Sequence, residues 1–408
     1  MHQGRLNIAL LCAAWCGAWS GTAAAETQVL GMAVRADAVL QAKSEHTRYV
    51  DALAQDEVSV QALEGRLNLS GRCVEAWCDG ASFVLRPRLY AARQHHEVPG
   101  MPDRPSSLVE AYVVQNIGES TQLGAGKRTL GWGPGLLYSP SNRLFPDNGA
   151  VSPRREIAGK PMLFASTALA GGGRATVLLA NPREQDSMGE ALGGAFFLGR
   201  AEWQQQSEQL ATVGAVAGGG GALAPYLGLY AQRGLGDAFT LGGEVALSRR
   251  YTRDAARAAL LQNSNALKFD LVVNLRYGLP SGAEIGFELI RNGYAMSEQE
   301  LANPLIAALP SAASRPGWNR PLHPLVQKRY ALLQFTAPSL FGNKRWGGTA
   351  RTLRGLDRAS DDSFAELSWS ASDAITLYAG HARSRVGGVL RMTRPVTRNY
   401  YLTLESFF

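Results

Sequence analysis

The chain has 408 residues, 46% of them hydrophobic and only 18% charged, with 45 glycines, 19 prolines and a formal net charge of +7. Charge this dilute excludes a nucleic-acid binder, whose basic residues cluster, and the apolar content excludes a disordered chain. Large soluble proteins carry about a quarter charged residues, so something other than charge covers this surface.

Met1 to Arg5 is a short basic start, Leu6 to Trp19 is apolar, and Ala23-Ala24-Ala25 places small residues where a signal peptidase needs them. Residues 1–25 read as a cleaved signal peptide, with Glu26 as the mature start and 26–408 as one domain. Leu11 and Trp15 precede Cys12 and Cys16, where a lipoprotein site requires a small residue, so no lipid anchor is expected. Glu26-Thr-Gln-Val-Leu30 resembles the box by which energised receptors engage a periplasmic transducer. Those receptors also carry a globular plug, for which this chain has no room, and the match is set aside. The remaining cysteines stand in Cys73-Val-Glu-Ala-Trp-Cys78, a turn-like segment of an exported chain, and predict a disulfide. With no His or second cysteine pair nearby, neither a metal nor a cofactor is expected.

From Leu267 to Tyr277 the chain alternates: Leu267, Phe269, Leu271, Val273, Leu275 and Tyr277 on one face, Lys268, Asp270, Val272, Asn274 and Arg276 on the other. Similar alternation runs through 63–70, 83–90 and 239–248. Strands of about ten residues with one apolar and one wet face fit a transmembrane barrel, which shows lipid the uncharged face and hides the polar one. A soluble sandwich gives the same alternation but needs its charges outside. Even the longest uncharged run, Gln209 to Gln232, holds Gly218 to Gly221 and Pro225 and reads as two strands meeting at a glycine turn.

Strands are predicted near 29–43, 58–70, 81–93, 107–117, 121–133, 161–171, 173–182, 190–205, 208–217, 222–234, 237–249, 266–278, 282–294, 328–338, 344–354, 362–371, 373–384 and 396–408. The fold class is therefore all-β, a transmembrane antiparallel barrel of 18 strands, with 16 as the alternative. Short connections alternate broadly with longer ones, as in outer-membrane barrels. External loops are expected near 134–160 and 295–327.

The chain stops at Tyr400-Tyr-Leu402-Thr-Leu404-Glu-Ser406-Phe-Phe408. This resembles the C-terminal recognition strand of bacterial outer-membrane proteins, with Tyr400, Leu402, Leu404 and Phe408 as the assembly signal; Ser406 departs from the pattern. The resemblance implies a Gram-negative cell outer membrane, with its lipid and the barrel-assembly machinery as partners.

Lumen candidates follow from the polar faces. In the three clearest strands these hold Arg66, Arg86, Arg88, Lys268 and Arg276 against Glu64 and Asp270, a basic bias that favours anions. The alternative is that these cations pair with lumen acids, since Asp37, Glu244 and Glu288 also face inward in this register. Prolines stiffen loops 134–160 and 295–327, which suits a constriction or lid as well as an external loop. There Tyr138, Phe145 and Trp318 are candidates to stack on sugars, and Arg143, Arg154, Arg155 and Lys160 to hold carboxylates or phosphates.

Gly126-Lys-Arg-Thr-Leu-Gly-Trp-Gly-Pro-Gly135, with Ser139-Pro-Ser-Asn142 and Glu156-Ile-Ala-Gly-Lys-Pro161, resembles a strand-and-loop of the alginate-export and capsule-surface barrel families. That resemblance implies an arginine-rich pore and an anionic saccharide partner, with Lys127, Arg128, Arg154, Arg155 and Lys160 in contact. The expected function is a porin-like channel for small or polymeric, anionic solutes such as saccharides. Surface-polysaccharide export or capsule anchoring is the alternative. A barrel hydrolase is remote: it needs a nucleophile beside a His, and only His46, His95, His96, His323 and His381 follow the signal.

Overall fold

The structure, a computed structural model, describes residues 26–29, 31–50, 55–94, 106–146, 157–181, 194–205, 211–221, 223–249, 267–295, 325, 327–357, 360–386 and 396–408. The signal segment lies outside them.

Nineteen strands form one antiparallel sheet: β1 Glu26–Val29, β2 Met32–Val50, β3 Gln55–Cys73, β4 Ala81–Gln94, β5 Ser106–Ile117, β6 Thr121–Arg128, β7 Lys160–Leu169, β8 Gly173–Ala180, β9 Phe196–Gln205 and β10 Ala211–Gly220, followed by β11 Leu223–Leu235, β12 Phe239–Ser248, β13 Lys268–Gly278, β14 Glu284–Arg291, β15 Arg329–Ala337, β16 Trp346–Gly355, β17 Ser360–Ser372, β18 Ile375–Val386 and β19 Val396–Phe407. Each strand from β2 pairs with the next, and β19 pairs back onto β2, so β2 to β19 close an 18-stranded barrel. The backbone of Phe408 exchanges both hydrogen bonds with Ala38, completing the seam to the last residue. β1 is an extra strand folded back on Met32 to Arg35.

Burial runs opposite to that of a water-soluble protein. On β13, Asp270, Val272 and Asn274 are at most 1% exposed, while Val273 and Leu275 stand 41% and 38% exposed. Cross-strand partners share a face, and following the ladder around the seam keeps one consistent assignment. Leu63, Val113, Leu163, Phe197, Val213, Leu289 and Leu402 belong to the outward set. An exposed aliphatic wall around a polar interior is what the hydrocarbon core of a bilayer selects.

All 18 predicted strands of the barrel are present. β2 runs to Val50 rather than 43 and β3 starts at Gln55 rather than 58, because Ser44 to Val50 continue the ladder against Gln61 to Gln55. β6 stops at Arg128 rather than 133, because Thr129 to Gly135 turn off the wall. The predicted disulfide Cys73–Cys78 clamps the β3–β4 turn, with its Cα atoms 5.7 Å apart.

Candidate channel interior

Residues 129–133, predicted as the end of a strand, and 134–146, predicted as part of a loop that is either external or a constriction, run together inside the barrel. The reason is apolar content: Trp132, Leu144 and Phe145 pack on the inward side chains of β7 to β12, among them Met162, Phe164, Leu198 and Tyr226. Leu137 and Tyr138 pack on Val272, Ile290, Tyr330 and Leu332 of β13 to β15. An external position leaves these side chains in water.

Four wall carboxylates hold the loop. Glu110 of β5 accepts from Thr129 N at 2.8 Å and from Thr129 Oγ1 at the loop's start. Glu244 of β12 accepts hydrogen bonds from Gly135 N at 2.7 Å, Ser139 Oγ at 2.7 Å, Ser141 N at 3.3 Å and Ser141 Oγ at 2.7 Å. Glu288 of β14 accepts from Leu136 N and Leu137 N. Asp270 of β13 accepts from Tyr138 OH at 3.0 Å and from Gly293 N at 2.8 Å. Asn274 and Arg276 donate to Pro134 O at 2.9 and 2.8 Å. Buried carboxylates must be met by donors, and opposite Glu244 the neighbouring strands place only Tyr230 and Val272. The loop backbone supplies what the wall lacks.

This accounts for Gly131-Trp-Gly-Pro-Gly135. Trp132 enters the apolar cluster, and Gly133, at φ +84°, and Gly135 let the backbone lie against Glu244. A side-chain carbon at Gly133 overlaps the Glu244 carboxylate, and one at Gly135 overlaps Tyr138 O.

The predicted contact residues fall into three groups. Arg66, Arg86 and Arg88 face the lumen from β3 and β4, as expected, and each has an acid partner. Arg66 and Arg88 share Glu64, Arg88 at 2.5 Å, while Arg86 meets Glu110 at 2.8 Å. Gln41 extends the network from Arg66 to Glu405. Lys268 and Arg276 also face inward, Lys268 beside the Tyr294 ring and Arg276 on the loop.

A second group holds the loop rather than facing the passage. Tyr138 and Phe145 are 2% and 5% exposed, which removes them as sugar platforms. Lys160 donates to Leu144 O at 2.6 Å and lies over the Phe145 ring. Arg143 is fully buried between the rings of Tyr226 and Tyr294, donating to the Tyr294 hydroxyl at 2.8 Å. Arg128, on the inward face of β6, instead lies over the wall rings of Tyr112 and Phe164.

The third group is out of position or beyond description. Lys127 pairs with Ala111 and Pro161, on the outward face that carries Val113 and Leu163, so it does not line the pore. Arg154, Arg155, Trp318 and most of 295–327 lie outside the described residues. At the C-terminus, Tyr400, Leu402 and Leu404 share the outward parity, and Phe408 bonds to Ala38 just past the end of β19.

His381 faces outward with its ring 4.6 Å from that of Tyr400. His46 Nδ1 lies 3.0 Å from Ser59 Oγ, and Glu57 is 4.0 Å from Nε2. That trio sits within the β19–β2–β3 ladder, where strand pairing engages the backbone N–H groups of the described residues around it.

Sequence reasoning passed over the loop-holding role of Glu244, Glu288 and Asp270. Their signal was an inward acid with no base opposite it, and it appears only once the register is known.

No protein-family model and no curated protein sequence matches the chain. Solved structures do match in fold. OccK11 (OpdR) of Pseudomonas aeruginosa aligns with a TM-score of 0.57 at 12% identity, over 91% of this chain and 96% of that one. OccK5 (OpdH) of the same organism gives 0.55 at 12% identity over 91% and 98%. The P. aeruginosa outer membrane protein opdK gives 0.54 at 11% identity over 91% and 98%. The alginate-export and capsule-surface resemblance gains no support from these matches. This chain is similar in fold, along nearly its whole length, to the Occ/Opd outer-membrane porins.

Proposed function

We propose that the chain is an outer-membrane channel that passes small, anionic solutes. The observation that carries this reading is the loop 129–146, folded into the lumen and pinned by Glu244, Glu288 and Asp270. A fixed inner loop narrows a barrel, which suits small solutes better than a polymer and argues against polysaccharide export. The same pinning buries three acids against the loop. The wall of β3 and β4 keeps two arginines on one Glu64 carboxylate and an Arg86 side chain that is 45% exposed. A local excess of positive charge concentrates anions at a constriction.

Planar bilayers containing the purified mature protein test this. Discrete conductance steps are expected, with a reversal potential of anion-selective sign across a potassium chloride gradient. A bilayer that stays silent removes the channel, and a cation-selective potential removes the anion preference.

A further inference from the structure

On the outer wall near the long-loop ends of the strands, the ladder sets like charges directly opposite one another. Arg383 of β18 pairs with Arg398 of β19, and Arg398 pairs in turn with Arg48 of β2. All three belong to the outward set, since Tyr400 and Leu402, two and four positions along from Arg398, are 52% and 50% exposed. Neighbouring strands lie about 4.8 Å apart, and facing like charges destabilise a sheet.

Nearby acids do not cancel the row. Glu57, opposite Arg48, contacts Arg48 Nε at 3.6 Å and His46 Nε2 at 4.0 Å, and it stands two strands from Arg398. Asp361, one outward row nearer the long loops, lies in register between Arg354 and Arg385. Among the described residues, Arg383 and Arg398 have no acid partner, and Arg383 Nε is buried without a hydrogen bond. Five arginines thus face two acids.

The adjoining row fixes the height of this patch. It holds His381, Tyr400 and His46, directly paired across β18, β19 and β2. Amphipathic rings of this kind gather where hydrocarbon gives way to headgroups. The arginines stand one row beyond them, at headgroup level, and a guanidinium engages phosphate through two parallel hydrogen bonds.

We propose that Arg383, Arg398 and Arg48 form a site on the outer wall for the phosphate of an anionic membrane lipid. The phosphate supplies the counter-charge missing from the row, and the acyl chains continue down the face of Tyr400 and Leu402. This inference rests on the reading that the wall stands in a bilayer.

The test is native mass spectrometry of the mature protein in mild detergent, offered phosphatidic acid, phosphatidylcholine or inorganic phosphate. The unaltered protein is expected to retain phosphatidic acid over phosphatidylcholine by on the order of tenfold. The Arg383→Gln/Arg398→Gln variant loses that preference, while Arg66→Gln/Arg88→Gln, altered inside the lumen, keeps it. Arg383→Lys/Arg398→Lys retains charge without the fork and falls between; it carries the test if the glutamine variant does not fold. Equal retention by the outer-wall variants, equal loss by the lumen variant, or displacement of lipid by inorganic phosphate at matched concentration overturns the site. A protein that conducts in bilayers yet shows no phosphatidic acid preference sinks this inference alone. One that never enters a bilayer sinks the membrane reading instead.

Discussion

Glu244 is the residue on which the interior arrangement turns. It is 2% exposed and accepts four hydrogen bonds, all from the loop. Leaving buried donors unmet costs about 1–3 kcal/mol each, though the two serine hydroxyls are free to rotate toward other acceptors. Glu244→Ala is therefore expected to release the loop at a cost of several kcal/mol while the ladder stays intact. Single-channel recording should show a larger and noisier conductance, with circular dichroism unchanged. Glu244→Gln keeps one acceptor oxygen and should give an intermediate conductance. A conductance equal to that of the unaltered protein in both variants removes Glu244 as the anchor.

Among the elements, the β3–β4 turn offers a clean separation of stability from function. The Cys73–Cys78 bond closes a short segment, and the turn also ties to the turn between β1 and β2, Val74 N donating to Gly31 O at 3.0 Å. Closing so short a loop contributes about 2 kcal/mol on the chain-entropy model. Cys73→Ser/Cys78→Ser should lower the temperature at which the folded band disappears on gels and leave conductance unaltered, because the turn lies at the rim opposite the inner loop. The strands themselves were legible in the sequence, because alternation is local and most ends coincide with glycine or polar turns. What escaped was any feature that depends on parity or on partners. Lys127 and Arg128 were grouped by motif, yet adjacent strand residues face opposite sides, so only one of them lines the interior. The prolines and glycines of loop 134–160 read equally as an external loop or a constriction, and the choice is set mainly by acids on strands far along the chain, β12 to β14.

For the whole molecule, the decisive quantity is how charge is divided between the lumen, the outer wall and the buried contacts. Three strands with clear alternation gave a strongly basic lumen, but Glu110, Glu202, Glu366 and Glu405 also face inward, so the full wall is much closer to balance. Selectivity then depends on which charges still face the passage. Glu244, Glu288 and Asp270 are buried under the loop, whereas Arg86 keeps much of its side chain exposed. Arg86→Gln should accordingly weaken anion preference and move the reversal potential toward zero without altering stability by more than about 1 kcal/mol, the usual worth of a partly exposed ion pair. The shift should shrink as salt rises, because the Debye length falls from about 10 Å at 0.1 M to about 3 Å at 1 M. Arg383→Gln, an arginine of the outer wall, should leave the reversal potential where it was. If the two substitutions shift selectivity equally, the positive charge acts through the field of the whole barrel rather than at the constriction. A shift confined to Arg86→Gln places the selectivity on the β3–β5 wall facing the loop.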